Sequence, residues 1–162
     1  MGIESPSGAV LARNNRFLAV SKVLEKARLI RETSDIYVTL YSATCLPGTT
    51  KATMRQTERL FYNLLASRAV DEIKTCMYVP YPSDGKAQSE VRIVDDDWSH
   101  YDRQHYPVFS YGGVTRGELW WHYLRASKAI NSGWLKGLGV SDINDLPEGV
   151  FPEYVSKVYG VG

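Results

Sequence analysis

The feature that most constrains this chain is a pair of alternating segments with one long amphipathic segment between them. From Ile36 to Tyr41 the residue character alternates, with Ile36, Val38 and Leu40 on one side and Tyr37, Thr39 and Tyr41 on the other. A period of two predicts a strand. Cys45-Leu46-Pro47-Gly48 reads as a turn and Thr49 or Thr50 as an N-cap. A helix is expected from about Lys51 to Ala69, with Met54, Phe61, Leu64 and Leu65 as its apolar stripe, and Ile73 to Val79 alternates again. Strand, helix and strand in that order predict a right-handed crossover with parallel pairing. The chain is thereby confined to α/β or α+β architectures.

The remaining elements follow the same logic. Residues 1–12 read as an N-terminal arm. Asn14 or Asn15 is the expected cap of a helix from Arg16 to Glu32, whose inner face is Phe17, Val20, Val23, Leu24, Ala27 and Ile30. Val91, Ile93 and Val94 mark a third strand, and Pro107 to Tyr111 a short fourth. Gly112-Gly113 breaks that strand, and Thr115 caps a helix from Arg116 to Asn131 with Leu119, Trp120, Tyr123, Leu124 and Ile130 inward. Residues 132–162 form a Gly/Pro-containing tail with a short helix near Pro152 to Tyr159. The expected order is α-β-α-β-β-β-α-α, a single mixed sheet of about four strands covered by helices, in a single domain over residues 1–162.

Composition closes off several classes. With 162 residues, 44% hydrophobic and 23% charged, the chain is that of a folded domain and not of a disordered one. Its apolar runs fall short of the ~20 residues that span a bilayer, so no membrane partner is expected. Met1 to Leu11 shows no basic stretch followed by an apolar one, which predicts a cytoplasmic address, the host cytoplasm or virion if the source is viral. Cys45 and Cys76 form no CxxC pair and read as reduced apolar residues.

Nineteen basic and eighteen acidic residues leave a net charge of +1, but the charge is segregated. Residues 13–32 hold six basic and two acidic side chains, whereas residues 90–102 hold Glu90, Asp95, Asp96, Asp97 and Asp102 against Arg92 alone. Taken singly, each is a solvated face. Taken together, Arg28 and Arg31 on the basic helix and the Asp95, Asp96, Asp97 run are candidates for contacts between neighbouring copies, of the kind that builds rings or filaments. Nucleic acid is not the expected partner, because Glu25 and Glu32 interrupt the basic helix.

Twice the chain runs strand, glycine turn, threonine, basic residue and helix: Gly48-Thr49-Thr50-Lys51, and Gly112-Gly113 followed by Thr115-Arg116. Free N–H groups at a helix start, backed by the helix dipole, attract anions. These eight residues are therefore candidates for a phosphate or nucleotide ligand, although ordinary capping accounts for the same pattern and neither turn has P-loop spacing. Glu118 sharpens the second turn. A carboxylate at a helix start behind a glycine turn resembles the setting of the nucleophilic glutamate in nucleoside deoxyribosyltransferase-like enzymes, over about a dozen residues. That resemblance implies glycosidic-bond or nucleotide chemistry with Glu118 as the catalytic candidate. The Asp-rich strand end of that family is replaced here by Tyr111-Gly112-Gly113, so membership is not claimed.

All three histidines, His100, His105 and His122, fall close to the acidic run. Asp97, His100 and His105 are the candidates for a divalent metal and hence for a metal-assisted hydrolase. Their spacing matches no HxH or HExxH pattern, and a solvated acidic loop explains them equally; no cofactor is expected.

Eight aromatics lie between Trp98 and Tyr123. Trp120 and Trp121 are adjacent on the expected third helix, about 100° apart around its axis. If Trp120 faces inward with Tyr123 and Leu124, Trp121 falls beside Arg125 and Lys128. Trp134, Leu135 and Leu138 of the tail offer one cover for that ring. A partner subunit offers another, since Trp and Arg anchor protein interfaces; stacked bases are a third. The leading expectation is a non-enzymatic structural or interaction subunit of an oligomeric assembly, of viral or phage type, with Trp121 and Arg125 at its interface.

Overall fold

In a computed structural model of the chain, residues 1–16, 19–81, 90–101 and 106–141 are described. Their elements run α1 (Gly8–Arg13), α2 (Val20–Thr33), β1 (Thr39–Thr44), α3 (Lys51–Ala66), β2 (Glu72–Met77), β3 (Val91–Ile93), a 3-10 turn (Trp98–His100), β4 (Phe109–Tyr111) and α4 (Arg116–Leu138). The architecture is mixed α/β. The crossover is present: β1 and β2 pair in parallel, from Thr39 opposite Glu72 to Thr44 opposite Met77. Leu40, Ser42 and Thr44 turn inward from β1, while Tyr41 faces solvent.

One core cluster joins Leu40 and Ile73 of the sheet to Phe61, Leu64 and Leu65 of α3 and to Ala126 and Ile130 of α4. Val23 and Ala27 of α2 complete it, with Val20, Leu24 and Ile30 partly buried against it; Phe17, also read as inward, lies outside the described residues. A second cluster gathers Cys45, Met54, Met77, Phe109, Tyr111 and Leu119 around the two glycine turns. No helix among the described residues is long and apolar enough to cross a membrane.

The single four-stranded sheet is not what forms. β1–β2 and β3–β4 are separate two-stranded sheets, the second antiparallel with Val91 opposite Tyr111. β3 and β4 are three residues each, and the Gly112-Gly113 turn folds straight back so that Val114 takes both the N–H and the C=O of Tyr111. That closure leaves β4 no edge at Tyr111 with which to extend the larger sheet.

The N-terminal residues are not a free arm. Ile3 donates its N–H to the Tyr41 carbonyl at 2.8 Å, Tyr41 donates to the Met1 carbonyl at 2.7 Å, and Ile3 is buried. The outer edge of β1 needs partners for its backbone groups, and the first residues supply them. The helix expected over 16–32 is one helix that starts later, at Val20, and a separate short helix, α1, occupies part of the expected arm. Asn14 donates from its side chain to the Val10 and Pro47 carbonyls, at 2.8 and 2.9 Å, and Asn15 adopts a left-handed φ of 53°. These asparagines therefore end α1, a common use of the residue, and α2 begins at Ala19 without a side-chain cap. β1 starts later than predicted because Asp71 accepts the Val38 N–H at 2.7 Å, leaving Ile36 and Tyr37 exposed before the ladder begins.

α4 runs beyond the expected end at Asn131 to Leu138, where Gly139 terminates it with φ 77°. The first part of the expected tail is thus helix; the short helix foreseen near residues 152–159 lies outside the described residues. Gly133 and Gly137 fall on the side of α4 that meets α3. A Cβ on Gly133 would come 2.6 Å from the Tyr62 carbonyl oxygen, and one on Gly137 would overlap the Leu65 carbonyl oxygen. Lys51 meets Glu118 at one end of the pair and Leu65 meets Gly137 at the other, so α3 and α4 lie parallel.

Gly133→Ala should therefore cost about 1–3 kcal/mol, through a clash with backbone that cannot rotate away. Gly117→Ala, whose Cβ would approach nothing closer than the Tyr106 hydroxyl at 3.7 Å, should gain about 0.5–1 kcal/mol. Thermal unfolding followed by circular dichroism checks both, at about 2–4 °C per kcal/mol for a chain of this size.

Candidate functional site

Both glycine turns carry the backbone from a strand into a helix through left-handed conformations, at Cys45 and Gly48 in the first and at Gly112 and Gly113 in the second. Thr50 opens α3 with a capping box to Thr53, and Thr115 opens α4 with one to Glu118. The tertiary structure sets the two helix starts side by side. Lys51 Nζ lies 2.6 Å from Glu118 Oε1, and the Cys45 thiol donates to the Leu119 carbonyl at 3.4 Å. Burial pushes that thiol up to about 12, as befits a thiol packed in the core. Burial likewise raises the Tyr111 phenol, which lies against Cys45 and Thr49.

Glu118 is held from three directions. Lys51 bonds Oε1, while the Thr115 N–H and hydroxyl meet Oε2 at 3.0 and 3.1 Å. The Lys51 contact first, and then the Thr115 bonds, bring its carboxyl down to about 2. It is an ionised internal anion set between two positive helix ends.

The other predicted anion ligands are similarly occupied. The Thr49 N–H and hydroxyl both go to the Leu46 carbonyl, and the Thr50 N–H goes to Thr53. The Arg13 side chain covers Gly48. Arg116 turns toward the Pro107 carbonyl at 2.5 Å and lies over the Tyr106 ring. Gly112 and Gly113 remain exposed.

The acidic run is a structured loop. Asp95 Oδ2 is 3.0 Å from His100 Nδ1, and Asp97 caps the 3-10 turn through the Ser99 N–H and hydroxyl. The hydrogen bond to Asp95 raises the His100 pKa, and the same loop bonds lower the Asp95 and Asp97 carboxyls. Among the described residues no three His, Cys, Asp or Glu side chains converge on a point that could hold a metal ion. His105 and Asp102 lie outside them.

Of the basic helix, Arg28 pairs along α2 with Glu32 at 2.6 Å, and Arg31 reaches Asp71 at 2.7 Å. Arg31 therefore braces the start of β1 through the same carboxylate that holds Val38. Arg28 and the Asp96 and Asp97 side chains are exposed, whereas Arg31 is held by Asp71 and Asp95 by His100.

What the tertiary structure assembles instead is a groove between α3 and α4. Its volume is about 660 Å3, and Arg59, Tyr62, Trp121, Leu124, Arg125 and Lys128 line it, with Glu58 at one end. Toward the helix starts it passes into a cleft of about 240 Å3 that adds Lys51, Arg55 and Glu118. Trp121 is 62% exposed. Trp134 does not cover it, because α4 is one continuous helix and thirteen residues of rise separate the two rings by about 20 Å. Trp134 packs instead against the first core cluster.

Beneath the groove His122 is buried, with Nδ1 3.2 Å from Glu58 Oε1, and the other Glu58 oxygen accepts both Arg125 Nε and Nη2, at 3.0 and 2.8 Å. The carboxylate can only accept, so His122 Nδ1 carries the hydrogen. Burial lowers the His122 pKa, and the opposing pull of Glu58 is smaller.

Glu58, Arg59 and Tyr62 are absent from the sequence-based candidates. Their signal is spacing: Arg55, Arg59 and Tyr62 recur along one face of α3 as Trp121, Arg125 and Lys128 do on α4. Nothing in one dimension says that the two faces abut. No protein family, curated protein or solved structure matches the chain.

A buried histidine kept neutral contributes stability above its unfolded pKa and loses it as pH falls. With its folded pKa depressed, His122 should make the protein less stable from about pH 7 to pH 5. His100, whose pKa is raised, acts with the opposite sign. Urea unfolding in a His100→Gln background should therefore show the slope, and adding His122→Gln should flatten it. Glu58→Ala, which strips the buried imidazole of its partner, should cost about 1–3 kcal/mol in the same assay.

Proposed function

We propose that this chain is a non-enzymatic structural subunit that works by associating with further copies through the α3–α4 groove, in an assembly of viral or phage type. The observation that carries this reading is Trp121, 62% exposed on a helix face and bordered by Arg59, Arg125 and Lys128. An aromatic ring brings about 150–250 Å2 of surface to a contact, and Trp with Arg is the combination that dominates interface energetics. The platform is stiff, because Gly133 and Gly137 lock α4 onto the α3 backbone. Little ordering entropy is then lost on docking.

Two further observations favour association over chemistry. Glu118 is consumed by Lys51 and Thr115, and a capping box at each helix start takes up the N–H groups of Thr50 and Thr53 and of Thr115 and Glu118. The interleaving of Glu58 and Glu118 among the cations also breaks the continuous basic stripe that a nucleic acid would want.

Sedimentation velocity across the micromolar range tests the reading. The wild-type chain should show a mass that rises with concentration, and Trp121→Ala combined with Lys128→Ala should return it to a monomer with unchanged circular dichroism. A wild-type chain that is monomeric throughout overturns it.

A second reading rests on the smaller cleft, where Lys51, Arg55 and Trp121 could receive a phosphate-bearing ligand if Lys51 left Glu118. Nucleotides and sugar phosphates would then raise the melting temperature, by the equivalent of ~2.7 kcal/mol at a hundredfold excess over Kd. The structural reading expects no shift.

A further inference from the structure

Resting on that reading, we infer that the groove of one copy receives the acidic Asp95–Trp98 loop of the next, so that copies join head to tail. Beyond the pair that Arg125 makes with Glu58, the only carboxylate lining it among the described residues, the groove presents Arg59 and Lys128 as further cations. Two grooves facing each other across a twofold axis would set these cations against their own copies. Like charges brought together with little water between them oppose contact. The groove calls for an acidic occupant with an apolar anchor.

This chain presents one. Asp96 and Asp97 are exposed, and Trp98 beside them is 62% exposed. The loop is held in shape before it meets anything. Asp95 is fixed by His100, the Tyr101 hydroxyl donates to the Asp95 carbonyl at 3.1 Å, and the Trp98 and Tyr101 rings stack with centroids 4.5 Å apart. With its backbone pinned from within, the loop leaves the Asp96 carboxylate and the Trp98 indole exposed, while Asp97, also exposed, holds the Ser99 N–H and hydroxyl. Loop and groove share no residue, so each copy has one of each to offer. A contact between two different surfaces is heterologous, and it propagates into a ring or an open filament.

Mixing two variants tests the pairing. Arg59→Glu/Lys128→Glu disables the groove and leaves the loop intact; Asp96→Lys/Trp98→Ala disables the loop and leaves the groove. Circular dichroism and thermal unfolding verify that both remain folded. Each variant alone should be monomeric by sedimentation velocity, its self-association weakened by about tenfold or more. Mixed in equal amounts they should form a one-to-one dimer and nothing larger, because only one productive contact remains. The inference is overturned if the mixture stays monomeric. It is also overturned, with the structural reading still standing, if the wild type assembles and the groove variant does not while the loop variant assembles normally. A wild type that never assembles removes both.

Discussion

The parallel approach of α3 and α4 is the constraint on which the rest of the protein depends. Two helices lying parallel bring their positive ends together, an arrangement that electrostatics opposes. Glu118 answers it at one end by placing an ionised carboxylate between the Lys51 ammonium and the first turn of its own helix. Gly133 and Gly137 answer it at the other by letting backbone touch backbone. The middle of the interface is left to Glu58, the buried His122 and the more exposed Arg125, whose hydrogen bonds run from one helix to the other.

The groove and its exposed indole follow from that geometry. Once α4 is locked to α3, Leu119, Ala126 and Ile130 are committed to the interior. Trp121, Arg125 and Lys128 fall on the remaining face beside Arg59 and Tyr62. The same lock uses up the features that make glycine turns attractive to anions. At each helix start two N–H groups serve a capping box, and the Glu118 carboxylate serves as the counter-anion. Local chemistry that elsewhere recruits a phosphate here stabilises the fold.

Much of the architecture was legible because it rests on short-range rules. The apolar stripe Met54, Phe61, Leu64 and Leu65 is buried, and Thr50 and Thr115 cap the helices they precede. The parallel β1–β2 pair follows from the order of elements alone. The misreadings occur where a distant residue decides. Asn14 and Asn15 look like the start of a helix until Pro47, 33 residues away, supplies the partner that makes Asn14 an ending. Arg31 looks available until Asp71 claims it. The first residues look like an arm until the open edge of β1 takes them up. Residues 132–138 look like a tail because their glycines weaken a helix in isolation, yet two of those glycines are what let α4 continue against α3.

Of the candidate site, Trp121 and Arg125 were visible from their spacing on one helix, and the acidic loop from its charge. Period, capping chemistry and the burial of apolar stripes are properties of a segment, so the amino-acid sequence determined most of the elements and their order, though not α1 inside the expected arm, nor that Leu124, read as inward, would lie exposed in the groove. Which faces meet is set by packing between segments far apart in the chain. Only the tertiary structure therefore decided that Arg59 and Tyr62 of α3 would join Trp121 and Lys128 of α4, and that Glu118 would pair with Lys51 of the neighbouring helix. Close packing admits one pairing of the two helices, and the glycines that specify it are read correctly only when the backbone they touch is known.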